Sequence, residues 1–416
     1  MKTRSPLWRH SDFLNVWTAE TISVFGAQFT MLAVPLAAVL MLDAGPGEMG
    51  ILIAAEMLPF LLFGLVVGVW VDRMKRRPLM IISDLGRCAA LAAIPLAWYF
   101  DALSMPVLYM TAFATGVFTV FFDVAYMSYL PSLVGRDHLV DANSKLEASR
   151  SASGTVGPSI AGVVVAVMTA PYAVVVNSLT YLTSAAFLFR VRKDEPELEA
   201  KEHPPVVSEI KGGVLLIARD GRLRAIAGCT AMGNLFSSIF NTVFILYAVD
   251  VFGMGSIDLG IIFAAGGIGA VAGAIMTERV SKALGLGRSI AAGSFVTAAA
   301  MLLMIVAAED LAIAFFAVSM FVSAFANTVY NIGQVSLRQT ITPDNQLGKM
   351  NASMRFMIWG TMPVGALIGG LLGESLGVSE TVIIGVVGMM VAFLWIVFSP
   401  ILRIVEIPKQ SEACQD

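Results

Sequence analysis

At 416 residues, 57% of them hydrophobic and 14% charged, with a mean hydropathy of +0.80, the chain carries more apolar side chain than a soluble core of its size can hide. A soluble fold is excluded and the bilayer is the solvent. The net charge of −3 carries little information about partners, because basic and acidic residues are sorted to opposite faces of the membrane, and no nucleic-acid-binding patch follows.

A spanning helix needs roughly 20 apolar residues. Such runs are predicted near residues 13–42, 48–71, 79–99, 105–130, 146–169, 171–190, 223–251, 257–279, 287–307, 310–336, 350–373 and 379–402. The first contains Glu20 and Pro35 and lacks a small-residue cleavage site, so it is read as a span and not as a signal peptide. Lys and Arg fall in or beside alternate gaps, whereas Asp43 to Glu48, Asp101, Asp250 to Asp258 and Glu309 to Asp310 stand in gaps that carry only acids. Basic residues stay on the cytoplasmic side during insertion. The expectation is a multi-pass protein of the cytoplasmic membrane with both termini inside. Cys88, Cys229 and Cys414 have no disulfide or metal spacing, and His10, His138 and His203 all fall in cytoplasmic segments. No metal and no cofactor are expected.

Shifted by 208 residues, the chain overlays itself: Leu139 falls on Leu347, Asn143 on Asn351, Gly157 on Gly365 and Gly162 on Gly370. At a shift of 210, Gly50 and Ile51 fall on Gly260 and Ile261. Two homologous six-helix halves follow, residues 1–190 and 223–402, joined by a charged cytoplasmic linker at 191–222 and followed by a tail at 403–416. Parallel repeats of this kind typify transporters that rock one half against the other. Within the linker, Val207, Ile210, Val214 and Ile217 share one helical face, which predicts a short helix on the membrane surface; a plain solvated linker is the alternative.

Three acids lie inside spans: Glu20, Glu56 and Asp123. A charged acid in hydrocarbon costs roughly 2–3 kcal/mol or more, so such groups face a cavity, pair, or take up a proton. They are the candidate proton-coupling residues. Thr111, Thr115, Thr119 and Asp123 recur every four residues and make a polar stripe on the fourth helix. The repeat supplies Ser319, Ser323, Asn327 and Asn331 on the tenth. Two related stripes are expected to line one central cavity, together with Asn234 and Asn241. Hydroxyls bonding back to their own helix are the competing reading for each residue singly. Arg87, Arg150, Arg338 and Arg355 are read as lying near cytoplasmic ends, either snorkelling or in a network between the halves with Asp72, Asp84 and Glu147.

The segment Gly68-Val-Trp-Val-Asp72-Arg73-Met-Lys75-Arg76-Arg77-Pro78 resembles the signature of the major facilitator superfamily between its second and third helices, with Lys75 at the family's second glycine. The resemblance implies a conformational latch built from Gly68, Asp72, Arg73, Arg76 and Arg77. Ser153 to Gly162, with Gly157 and Pro158, is similar to the antiporter motif of the same superfamily, with Ser153 and Ala161 in place of glycines. It implies export against an inward proton flow. The closer likeness is to the macrolide-efflux and siderophore-exporter branch, carried above all by Tyr129-Leu-Pro131 through Leu139, Ala142-Asn143 and Gly157-Pro158; Asn177 stands where that branch often has an aspartate. No nucleotide-binding loop is present. The expectation is an all-α membrane protein of twelve transmembrane helices and no enzyme, a monomer that exchanges protons for an amphipathic small molecule. Export of one metabolite such as a siderophore, uptake by proton symport, and a receptor without transport are the alternatives, the last disfavoured by the two-half repeat.

Overall fold

The computed structural model describes residues 6–71, 74–135, 138–193, 195, 206–343 and 346–405. Among these there is no strand. The helices are α1 (Ser11–Leu42), α2 (Pro46–Val71), α3 (Arg76–Tyr99), α4 (Met105–Val134), α5 (Leu139–Met168), α6 (Ala170–Phe189), α7 (Val206–Arg219), α8 (Gly221–Leu246), α9 (Ser256–Leu284), α10 (Leu286–Ile305), α11 (Ala312–Ile341), α12 (Leu347–Trp359), α13 (Thr361–Leu376), α14 (Val378–Ala392) and α15 (Leu394–Val397). Twelve helical segments of the described residues are long and apolar enough to cross a membrane. Each coincides with a predicted run. The eleventh is α12 and α13 together, interrupted at Gly360, and the twelfth is α14 continued by α15.

The chain divides into two compact units, one of residues 1–44, 55–203 and 255–260, the other of 45–54, 204–254 and 261–416. In the first, α1 packs on α5 and α6, and α3 on α4 and α6. Its core includes Phe13, Val67, Met80, Phe122, Tyr129 and Leu146, all buried. In the second, α8 packs on α13 and α14, and α10 on α11 and α14. With no water to drive helices together in a bilayer, close backbone approach at small residues does much of the work. A Cβ added to Gly157 would meet the Cβ of Gln28 at 2.9 Å, and one added to Gly365 would meet the Cβ of Ser238 at 2.9 Å. Gly157 and Gly365 are related by 208 residues, Gln28 and Ser238 by 210. The same crossing is therefore built twice.

The first turns of α2 and α9 follow the same rule. Within the second unit a Cβ on Gly50 would come to 2.9 Å from the Gly370 Cα, and within the first a Cβ on Gly260 would come to 3.2 Å from the Gly162 Cα. The turns between the fifth and sixth spans also correspond. Gly377 has φ 107° and its repeat counterpart Thr169 has φ 70°. Glycine adopts that conformation without penalty, whereas a β-branched residue is strained there by about 1–3 kcal/mol.

α7 is the short helix expected within the linker. Ile217 is 2% exposed and Val214 is 37% exposed, so the two do not share one environment. The helix docks on α12: a Cβ on Gly213 would stand 2.5 Å from the Lys349 carbonyl, and Ile217 joins Met350 and Met354 in the buried cluster of the second unit. The side chains of Val207 and Ile210 lie outside the described residues.

Candidate functional site

The first unit collects charge in its interior. Glu20 on α1 is 4% exposed and accepts a hydrogen bond from Arg150 Nη2 on α5 at 2.8 Å. Asp84 and Arg87, one turn apart on α3 and both buried, form an ion pair. Ser184 on α6 donates to Asp84 Oδ2 at 2.7 Å. The Arg87 guanidinium lies between the rings of Phe122 on α4 and Tyr181 on α6, 4.2 Å from each centroid. Cation–π contact on both sides and a hydrogen-bonded acid supply what a buried cation requires. This corrects the expectation that Arg87 lies near a helix end: it sits in the middle of the 24-residue α3 and ties α3, α4 and α6 together. Asp123, next to Phe122, interacts electrostatically with both Arg87 and Arg150.

Along the predicted stripe of α4, Thr111 is buried and Thr119 Oγ1 donates back to the Thr115 carbonyl at 2.8 Å. Glu56 is exposed on α2, where its backbone carbonyl passes Gly116.

The second unit holds a cavity of about 320 Å3 lined by Thr230, Asn234, Ser294, Thr297, Asn327 and Asn331 among others, and no charged side chain lines it among the described residues. Thr230 Oγ1 and Tyr330 Oη share a hydrogen bond of 2.6 Å at its wall. Ser323 also lines it and donates to the Thr297 carbonyl at 2.9 Å. Ser319 is fully buried and donates to the Ala300 carbonyl, while Asn241 is exposed and donates to Ser237 Oγ.

At the basic end of the first unit, α3 begins under a carboxylate. The amides of Arg76 and Arg77 donate to Glu195 Oε2 and Oε1 at 2.7 and 2.6 Å. Arg77 in turn donates to the last carbonyls of α6, Leu188 and Phe189, and Lys193 donates to the Leu133 carbonyl of α4. The Asp12 carboxylate accepts from the amides of Arg192 and Lys193. Orphan groups at three helix ends and the arm after α6 are thereby satisfied together. Gly68 lies on α2, and Asp72 and Arg73 lie outside the described residues. In the antiporter-like segment Ser153 Oγ donates to the Val24 carbonyl at 2.7 Å, Gly157 faces Gln28, and Pro158 and Gly162 meet the first turn of α9. Sequence reasoning missed Glu195 and Ser184 as partners. The i, i+3 spacing of Asp84 and Arg87 was the available signal for the buried pair.

The family model described as Major Facilitator Superfamily matches residues 16–360. The chain is 28% identical over 383 residues to the multidrug efflux pump Tap of Mycolicibacterium fortuitum, covering 86% of this chain and 88% of that one. It is 23% identical over 248 residues to the macrolide efflux protein A of Streptococcus pyogenes, covering 58% and 59%. That alignment, like the one at 51% of an uncharacterized Bacillus subtilis transporter, spans little more than half of the relative's length. Among solved structures, a bacterial homologue of the iron transporter ferroportin superposes with a TM-score of 0.76 at 14% identity, covering 93% of this chain and 98% of that one, which speaks for the fold alone. Twelve apolar helices, a repeated half and a family match over most of its length make this chain a multi-pass membrane protein that belongs to the Major Facilitator Superfamily of transporters.

Proposed function

We propose that the chain exports amphipathic small molecules from a prokaryotic cytoplasm in exchange for protons, by alternating access, as a monomer in the cytoplasmic membrane with both termini inside. Residues 1–190 and 223–402 are the moving halves, with 191–222 as their connection and 403–416 as the tail. The observation that carries this reading is the division of labour inside the repeat: acids and arginines gather in the first half, and a neutral hydrogen-bonding cavity opens in the second. Relatives named for multidrug and macrolide efflux support the direction. Glu20 and Asp84 each have an arginine partner, and Asp123 sits in the field of both arginines. A proton entering from outside neutralises Asp123 or Glu20 and weakens that acid's hold on the arginines. The substrate then leaves, rocking of the halves resets the cycle, and the proton is released inside. Asp72 acts as a latch at the basic end. Glu56, exposed on α2, is the third candidate acid.

In vesicles with an imposed pH gradient, Asp123→Asn and Glu20→Gln are each expected to lose gradient-driven efflux, since an amide cannot change charge, while gradient-free substrate exchange survives. The larger coupling defect is expected at Asp123. Gradient-driven efflux at parental rate in both variants would overturn proton exchange through these groups.

A further inference from the structure

The charged cluster and the neutral cavity occupy equivalent places in the repeat. At shifts of 210 for the first and third helices of each half and 208 for the fourth, Glu20 overlays Thr230, Asp84 overlays Ser294, Arg87 overlays Thr297, Phe122 overlays Tyr330 and Asp123 overlays Asn331. Every one of those second-half residues lines the cavity. The register is independently anchored. The Gly157–Gln28 and Gly365–Ser238 crossings fix the first helix of each half, and the cap of the third helix repeats too: Leu286 and Gly287 donate to the carbonyls of Val405 and Ile404 at 2.9 and 2.8 Å, where Arg76 and Arg77 use Glu195. Arg76, Arg77 and Glu195 lie 210 residues before Leu286, Gly287 and Val405.

In the first half, then, the space between the third, fourth and sixth helices is filled by the protein's own planar guanidinium, stacked on Phe122 and Tyr181. In the second half the arginine is Thr297, Tyr181 has become Met389, and the space is open. We infer that this cavity is a subsite for a flat, uncharged, hydrogen-bonding group of the substrate, which takes the place that Arg87 holds in the first half. Its walls offer carboxamides able to donate and accept at Asn327 and Asn331 and the accepting hydroxyl oxygen of Thr230, with the thioethers of Met301, Met320 and Met389 adapting to the apolar edge. A cation or carboxylate entering it would be desolvated without a counter-charge, because the acids of the first-half cluster are Thr230, Ser294 and Asn331 here and its Arg87 is Thr297. At about 320 Å3 it sits at the small end of ligand pockets, the size of a substituted ring and not of a whole amphipathic molecule. Its role as a substrate subsite rests on the efflux reading; its ligand chemistry does not.

The test is an equilibrium one that needs neither gradient nor transport. In the full chain reconstituted in nanodiscs, with Cys88→Ser, Cys229→Ser and Cys414→Ser, a single Ser237→Cys places a thiol at the cavity wall for alkylation by N-ethylmaleimide. Chloramphenicol, a neutral ring with hydroxyl and amide groups, is expected to slow the labelling, and tetraphenylphosphonium, a cation without hydrogen-bonding groups, to leave it unchanged. Transplanting the first-half pair, Ser294→Asp with Thr297→Arg, refills the space and is expected to raise the chloramphenicol concentration for half-protection about tenfold or more. Thr297→Phe fills the same space where the double variant does not fold. Equal protection by the cation, protection that survives the filled cavity, or absence of protection by chloramphenicol up to its solubility overturns the inference. A parent chain that shows no gradient-driven efflux while chloramphenicol still protects would instead overturn the efflux reading and leave the ligand chemistry of the cavity standing.

Discussion

The first half of this molecule fills its interior with paired charge, and the second leaves the equivalent interior neutral and hollow. Asp84 and Arg87 are buried at 0% and 4% exposure in the first half, while Ser294 and Thr297 stand at the same repeat positions around a cavity. The helix caps differ in the same sense: a carboxylate from Glu195 in the first half, backbone carbonyls of Ile404 and Val405 in the second. One backbone plan thus accepts two chemistries. The backbone repeats because glycine crossings and helix ends are geometric requirements, whereas the side chains they surround are open to specialisation.

The sharpest way to break this comparison is to remove the buried cation. Arg87→Met removes the ion-pair partner of the fully buried Asp84 and the cation between Phe122 and Tyr181, a change expected to cost about 3–5 kcal/mol. Thr297→Met, its counterpart, fills part of an existing cavity and is expected to stay within about 1.5 kcal/mol of the parent. Thermal unfolding of the purified variants in detergent measures both, and equal shifts would mean that the ion pair contributes nothing beyond its volume.

The caps give a smaller contrast. Glu195→Ala removes the acceptor for two amides of α3 and is expected to cost about 0.5–2 kcal/mol of local stability, read as faster hydrogen exchange at Arg76 and Arg77. Val405→Ala keeps the backbone carbonyl that caps α10 and is expected to leave exchange at Leu286 unchanged. Loss of protection in both, or in neither, would erase the distinction between a side-chain cap and a main-chain cap.

The smallest expected effect sharpens the comparison from the other side. Thr169 holds φ 70° where Gly377 holds φ 107°, so Thr169→Gly is expected to stabilise the first half by about 1 kcal/mol. Gly377→Thr is expected to destabilise the second by a similar amount. An unchanged melting temperature in Thr169→Gly would show that the threonine side chain compensates its backbone strain.

The spans, the repeat and the resemblance to the transporter signature were legible in the residues, because hydropathy over twenty positions and a fixed shift along the chain need no knowledge of packing. So was the special standing of Glu20 and Asp123, since an acid within an apolar run demands an explanation wherever it lies. The position of Arg87 was not. Read along the chain, an arginine in a hydrophobic run marks the nearest basic end; only the packing of α4 and α6 against α3 supplies the two rings and the serine that let it stay in the middle. Likewise Glu195 reads as one more charge in a linker until the arm after α6 brings it under α3.

What the sequence by itself determined is therefore the class of the molecule: a membrane-spanning, two-half helical transporter whose ionisable groups are concentrated in its first half. Composition and period dictate this because the bilayer forces every spanning segment to declare itself as an apolar helix. Tertiary structure alone decided which of those groups pair, which helix ends they satisfy, and where one half keeps an open space that the other fills. Those outcomes depend on contacts between residues 100 or more positions apart, such as Asp84 with Ser184 and Glu20 with Arg150, and no local pattern encodes such a distance.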